Sequence, residues 1–83
     1  MSNSQKLSNT IKAVEEILKT RPNPNWDAIE IARRTLGTSR QEIILSIGVR
    51  SISNDNSDKM IKIATKVSTG FPLEYALGVT SFL

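Results

Sequence analysis

Short apolar stripes at helical spacing, each followed by a glycine or a proline, dominate this chain of 83 residues. In the first stripe the apolar residues recur at steps of four, three and four: Leu7, Ile11, Val14 and Leu18. That spacing is typical of one face of an amphipathic helix. Because Pro22 cannot continue a helix, the first helix must end before it. The pattern predicts several short helices.

A second helical period covers residues 26–36. Asn23 or Asn25 can cap this helix, because a short polar side chain accepts a hydrogen bond from the first free backbone N–H groups. Pro24 suits the first turn, where a missing N–H costs nothing. Gly37 is expected to end the helix as a left-handed stop.

A third, shorter helix is predicted to begin at once. Ser39 and Glu42 have the spacing of a capping box, and Gly48 is the expected stop. A polar connector follows, in which Val49 and Ile52 are expected to point inward. No stretch alternates with period two for long enough to predict a strand.

A fourth helix is predicted to start at Asn56 or Ser57, after a run of residues that favour caps and turns, and to end at Gly70. Pro72 is expected at the first position of a last short helix, with Gly78 as its stop. The predicted fold is therefore all-α, a compact bundle of four to five short helices in a single domain of residues 1–83.

Composition excludes several classes of function. The chain has no histidine and no cysteine, so thiolate chemistry and the usual zinc ligands are absent. We predict no catalytic, cofactor-binding or metal-binding residue. No apolar run reaches the roughly 20 residues of a membrane span, and the first residues lack the apolar core of a signal peptide. A cytoplasmic protein that does not bind membranes is expected.

The net charge of +3 is mildly basic, and the densest cations are Arg33, Arg34 and Arg40. One interpretation is that they belong to solvated helix faces. The other is that they form a partner-binding surface that attracts an acidic protein.

The two predicted helices that meet at Gly37 also suggest a helix-turn-helix motif. Arg40 and Gln41 would then lie at the start of the recognition helix. Two features count against DNA binding, which is expected to be absent. Arg33 stands where the close helix crossing needs a small residue, and the recognition helix turns apolar at residues 43–45.

The segment "GFPLEYALG", followed by "VTSF", resembles the G-E-P-L-x-Y-x-x-G-x-x-x-F motif of HemK-type methyltransferases, which methylate the glutamine of peptide-chain release factors. Phe71 departs from the motif, where glutamate is usual, and Thr65 stands where an arginine is common. The matching positions are Gly70, Pro72, Leu73, Tyr75, Gly78 and Phe82. An upstream stretch is also similar to the family, at Asp27, Ile29, Ile31, Ala32, Leu36, Gly37, Ser39 and Arg40.

This resemblance implies the N-terminal substrate-recognition domain of a longer enzyme that acts in translation termination. Its partners would be the release factor and its own catalytic domain. The S-adenosylmethionine site and the Asn-Pro-Pro-Tyr motif of the family belong to that catalytic domain, and this chain lacks the motif. The chain alone is then non-catalytic, whereas the full-length protein of the family is an enzyme.

The matched side chains also have structural interpretations. Gly70 and Gly78 are helix stops, Pro72 starts a helix, and the apolar and aromatic positions pack in the core or at a domain boundary. Trp26 is interpreted as a partly buried packing residue. Two alternatives to the methyltransferase domain stay open: a small helix-turn-helix DNA-binding regulator, and a helical interaction module that self-associates.

Overall fold

The computed structural model describes residues 4–81, and this part of the chain contains five helices and one short antiparallel ribbon. The helices are α1 (Leu7–Ile17), α2 (Pro24–Leu36), α3 (Arg40–Ser46), α4 (Asn54–Ser68) and α5 (Leu73–Ser81), and the strands are β1 (Ser4–Lys6) and β2 (Ser51–Ser53). The predicted helical bundle is confirmed. Within residues 4–81, no helix is both long enough and apolar enough to cross a membrane.

The core lies between α1, α2 and α4, which pack against one another, while α5 closes over α2 and α4. All four residues of the first apolar stripe are buried, as predicted: Leu7, Ile11, Val14 and Leu18. They meet the inward faces of the other helices, contributed by Ala28, Ile31, Ala32, Met60, Ile63, Ala64 and Val67. Burial of these side chains drives folding, because each fully buried leucine, isoleucine, valine or methionine contributes roughly 1.5–3 kcal/mol.

Both ends of α2 lie where the sequence predicts them. The side chain of Asn23 accepts a hydrogen bond from the Trp26 backbone N–H at 3.3 Å, and Pro24 occupies the first turn. Gly37 ends the helix with φ 66° and ψ 40°, the left-handed conformation that glycine adopts at no steric cost. These local signals are confirmed.

The third helix is capped as predicted, since Ser39 Oγ accepts from the Glu42 backbone N–H at 3.1 Å. It ends at Ser46, before Gly48. The prediction that Val49 points inward is wrong, because this side chain is 86% exposed. The turn after α3 directs it outward, with the Val49 and Arg50 N–H groups both bonded to the Ser46 carbonyl. Ile52 is buried, as expected.

The ribbon was not predicted from the sequence. Its register pairs Ser4 with Ser53, Gln5 with Ile52 and Lys6 with Ser51. Each strand has three residues, which is too short to show an alternating pattern. The ribbon leads directly into the first residues of α1 and α4, so it holds the starts of both helices together.

The fourth helix begins at Asn54, two residues before the earlier of the two predicted starts. The cap is Ser53, whose Oγ accepts from the Asn56 N–H at 3.1 Å. Ser57, one of the predicted starts, lies inside the helix, and its buried hydroxyl is 2.9 Å from the Thr10 hydroxyl of α1. The predicted boundary is therefore wrong.

The fifth helix differs from the prediction at both ends. Pro72 was expected at the first helical position, but it lies just before α5 and its carbonyl accepts from the Ala76 N–H at 3.0 Å. Gly78 was expected to stop the helix, yet α5 continues through it to Ser81. Among the described glycines, positive φ occurs at Gly37 and Gly70, so Gly78 is an ordinary helical residue.

Candidate functional site

A tight turn joins α4 to α5 and forms the centre of the candidate site. The Phe71 N–H donates to the Lys66 carbonyl at 3.2 Å, and the Gly70 N–H donates to the Val67 carbonyl at 3.1 Å. With Gly70 at φ 113°, this pair of bonds is the Schellman arrangement of a helix end. It confirms Gly70 as a stop and places Phe71 beside the last turn of α4.

Two aromatic side chains lie on the surface at this turn. The rings of Phe71 and Tyr75 stack, with centroids 5.5 Å apart and an interplanar angle of 27°. They are nevertheless 41% and 55% exposed. A shallow open groove, here called the aromatic groove, is lined by Thr69, Gly70, Phe71, Pro72 and Tyr75. Aromatic side chains exposed together in this way are typical of interaction surfaces.

Tyr75 is exposed, as is Pro72, whereas Leu73 of the motif packs against the core. On α5, Ala76 and Leu77 are buried and Leu73 packs against the core, so this inward face holds the helix in place. Tyr75 points away from the core, which contradicts a core role. Packing at a domain boundary stays a prediction for Tyr75. Phe82, the last motif position, lies outside the described residues.

The arginines singled out from the sequence do not share one environment. Glu30, only 8% exposed, accepts hydrogen bonds from Arg33 Nη2 at 2.6 Å and from Arg40 Nη1 at 3.0 Å. Arg34 instead faces α5, where its Nη1 lies 3.9 Å from Glu74 Oε1. Two of the three cations therefore share one carboxylate within the fold.

The electrostatics of Glu30 follow from these contacts. The hydrogen bond from Arg33 lowers the pKa of Glu30 below its ordinary value; burial opposes this, and the hydrogen bond from Arg40 adds to it. In return, the hydrogen bond to Glu30 raises the pKa of Arg33. The carboxylate is thus held charged between two guanidinium groups, as expected for a structural ion cluster.

Trp26 takes part in the same cluster. The guanidinium of Arg40 lies 4.1 Å from the centroid of the indole ring and also reaches the Trp26 backbone carbonyl. Trp26 is 47% exposed, so the interpretation as a partly buried packing residue is wrong, and Arg40 covers one face of its ring. A cation over an indole face is favourable, which further fixes the position of Arg40.

The helix-turn-helix alternative gains no support from this geometry. Arg40 would be a base-reading side chain, but it is held by Glu30 and Trp26. The outward face of α3 presents Ile44 and Leu45, both exposed and apolar. Direct readout of base edges needs donors and acceptors at such positions. DNA binding stays an untested alternative.

Two residues of this region were not predicted from the sequence. The spacing of three between Glu30 and Arg33 is visible in the sequence, but the contact of Glu30 with Arg40 is not. Lys66 carries no signal in the sequence, yet its Nζ lies 5.5 Å from the Phe71 ring centroid. Only the turn at Gly70 reveals that second contact.

In three comparisons, no family model, curated protein or solved structure matches this chain. The described contacts and the motif resemblance in residues 70–82 are therefore the basis for a functional proposal.

Proposed function

We propose that this chain is the release-factor-recognition domain of a cytoplasmic HemK-type protein-glutamine methyltransferase, and that it is non-catalytic by itself. The observation that carries the proposal is the exposure of Tyr75, a position of the resembling motif, in a stacked pair with Phe71. S-adenosylmethionine would bind to the separate catalytic domain.

The fold itself requires some residues of the motif but not Tyr75. Gly70 is required by its positive φ, and Leu73 by its packing on the core. Tyr75 makes no such contribution to the core, because more than half of its side chain faces solvent. Exposed tyrosine and phenylalanine side chains supply much of the binding energy of protein interfaces, since they bury a large area with few rotatable bonds.

Two proteins can occupy this surface under the proposal: the release factor, and the catalytic domain of the same enzyme. Binding of a release factor by this chain alone tests the first possibility without interference from the second.

The experiment is isothermal titration calorimetry of the chain with an intact peptide-chain release factor. We expect saturable binding, and a loss of about tenfold or more in affinity for Tyr75→Ala, since an interface anchor is worth on the order of 2 kcal/mol. Val49→Ala is the matched control, because it also truncates an exposed apolar side chain, on the turn after α3. Absence of binding, or equal affinities for the two variants, contradicts the proposal.

A gel shift with duplex DNA tests the alternative. The proposal predicts no shift at low salt. A shift that weakens steeply with added salt would favour the DNA-binding regulator instead.

A further inference from the structure

Three lysines form a row along α4. Lys59, Lys62 and Lys66 are spaced by three and four residues, so they share one face of the helix. All three are exposed, and the face roughly opposite carries the buried side chains of α4. Among the ion pairs of the described residues, none involves these lysines. We call them the lysine row.

The lysine row ends at the aromatic groove. Lys66 is its last member, and its ammonium group lies over the ring of Phe71, with 5.5 Å between Nζ and the ring centroid. The lysine row therefore continues directly into an exposed aromatic surface.

We propose that the lysine row and the aromatic groove together bind one acidic segment of a protein partner, with an apolar side chain of that segment seated on Phe71 and Tyr75. This inference rests on the proposed function and adds the chemistry of the segment that is recognised. Carboxylates of the partner would lie along the lysine row, and the apolar anchor would lie past its end.

Charge complementarity is the reason for an acidic partner. The chain carries a net charge of +3, and the lysines of the row take part in none of the ion pairs among the described residues. Asp55 and Asp58 lie near the start of α4, at the end of the row away from the groove. Lys66, the member of the row farthest from these two aspartates, therefore lies beside the aromatic groove. Opposite charge on the partner speeds encounter and fixes its direction of binding.

The groove suits a peptide better than a nucleic acid. Bases bind to free faces of aromatic rings, but the rings of Phe71 and Tyr75 stack on each other, and Lys66 lies over Phe71. Glu74, in the first turn of α5, repels phosphates and carboxylates alike, so the carboxylates of the segment are placed along the lysine row and not in the groove. An aliphatic side chain needs only the apolar groove that the two rings and Pro72 provide.

The test compares two double variants that remove the same amount of charge. Lys62→Gln/Lys66→Gln neutralises the lysine row, whereas Lys12→Gln/Lys19→Gln neutralises two exposed lysines of the first helical segment and the turn after it. Glutamine keeps the helix propensity, so circular dichroism should show both variants folded. Each is titrated with the intact release factor at about 50 mM and about 200 mM salt.

We expect each lysine of the row to contribute about two- to fivefold in affinity at low salt, and less at high salt. The control pair should change affinity by less than about twofold. Equal effects of the two double variants, or no effect of either, overturn the inference. If Tyr75→Ala still weakens binding in that case, the proposed function stands and only the acidic segment is rejected.

A second arm does not depend on the release factor. Three probes are used. The first is a short synthetic peptide with a central leucine flanked by glutamates, the second is the same peptide with lysines in place of the glutamates, and the third is polyuridylate RNA. The inference predicts that the glutamate peptide binds and that Lys62→Gln/Lys66→Gln weakens it. Failure of that peptide to bind, or stronger binding of polyuridylate, overturns it even where the release factor binds.

Discussion

The Glu30 carboxylate and the Arg40 guanidinium are joined by a hydrogen bond of 3.0 Å between Oε1 and Nη1, and this contact fastens α3 to α2. Helix α3 has seven residues and one fully buried side chain, Ile43, so it has little apolar area to hold it. The charged contact therefore matters more here than it would on a longer helix.

Loss of the Glu30 carboxylate should destabilise the protein. Glu30→Gln removes the negative charge that Arg33 and Arg40 share and leaves one amide oxygen as an acceptor, and we expect a cost of about 1–2 kcal/mol in the free energy of unfolding. Arg34→Ala is the control, since its pair with Glu74 is long and exposed, and it should change stability by less than about 0.5 kcal/mol. Urea denaturation followed by circular dichroism measures both. A Glu30 variant as stable as the Arg34 variant contradicts the structural role of the cluster.

The same carboxylate should make stability depend on pH. The pKa of Glu30 is lowered in the folded state, so its contribution is present above the ordinary glutamate pKa of about 4.3 and is lost as the pH falls through the lower folded pKa. Every carboxylate contributes to acid unfolding, so the informative quantity is a difference between variants. The advantage of wild type over Glu30→Gln should shrink from neutral pH to strongly acidic pH. A constant difference across that range would contradict the assignment.

Two glycines should respond to alanine with opposite signs. Gly78 is helical, and a Cβ at this position meets nothing within 4 Å, so Gly78→Ala should stabilise α5 by about 0.5–1 kcal/mol. Gly70 has φ 113°, so Gly70→Ala should destabilise the protein by about 1–2 kcal/mol. Thermal unfolding gives both values. A destabilising Gly78→Ala would mean that this glycine ends a helix after all.

The buried hydroxyl pair of Thr10 and Ser57 should stabilise the contact between α1 and α4. The two oxygens are 2.9 Å apart, and both side chains are buried. Ser57→Ala should cost about 1–2 kcal/mol, because the Thr10 hydroxyl loses its closest partner. Ser68→Ala, at an exposed position of the same helix, is the control and should have a smaller effect. Equal effects in urea denaturation would show that the pair contributes nothing.

Features with local causes were predictable from the sequence. Asn23, Ser39 and Gly37 act through backbone groups within a few residues, and their predicted roles at helix ends are confirmed. The apolar stripe of α1 is buried because an amphipathic helix has one face to bury.

Features with distant causes were not predictable. The β1–β2 ribbon depends on pairing between segments almost fifty residues apart, and neither segment has a signal of its own. Gly78 was misassigned because residue type alone does not fix φ: Gly70 and Gly78 look alike in the sequence but differ in backbone conformation. Of the candidate site, the motif position of Tyr75 was identified, whereas its exposure and the proximity of Lys66 to Phe71 depend on the fold of the turn.

The most direct test of the proposed function is to map the contact surface by nuclear magnetic resonance. Backbone amide signals of the labelled chain are followed while an intact release factor is added. We predict that the signals that shift or broaden most belong to the aromatic groove and the adjoining end of α4, around Lys66, Phe71 and Tyr75. Signals that stay unchanged throughout, or changes centred on the exposed apolar residues Ile44, Leu45 and Val49, would contradict it.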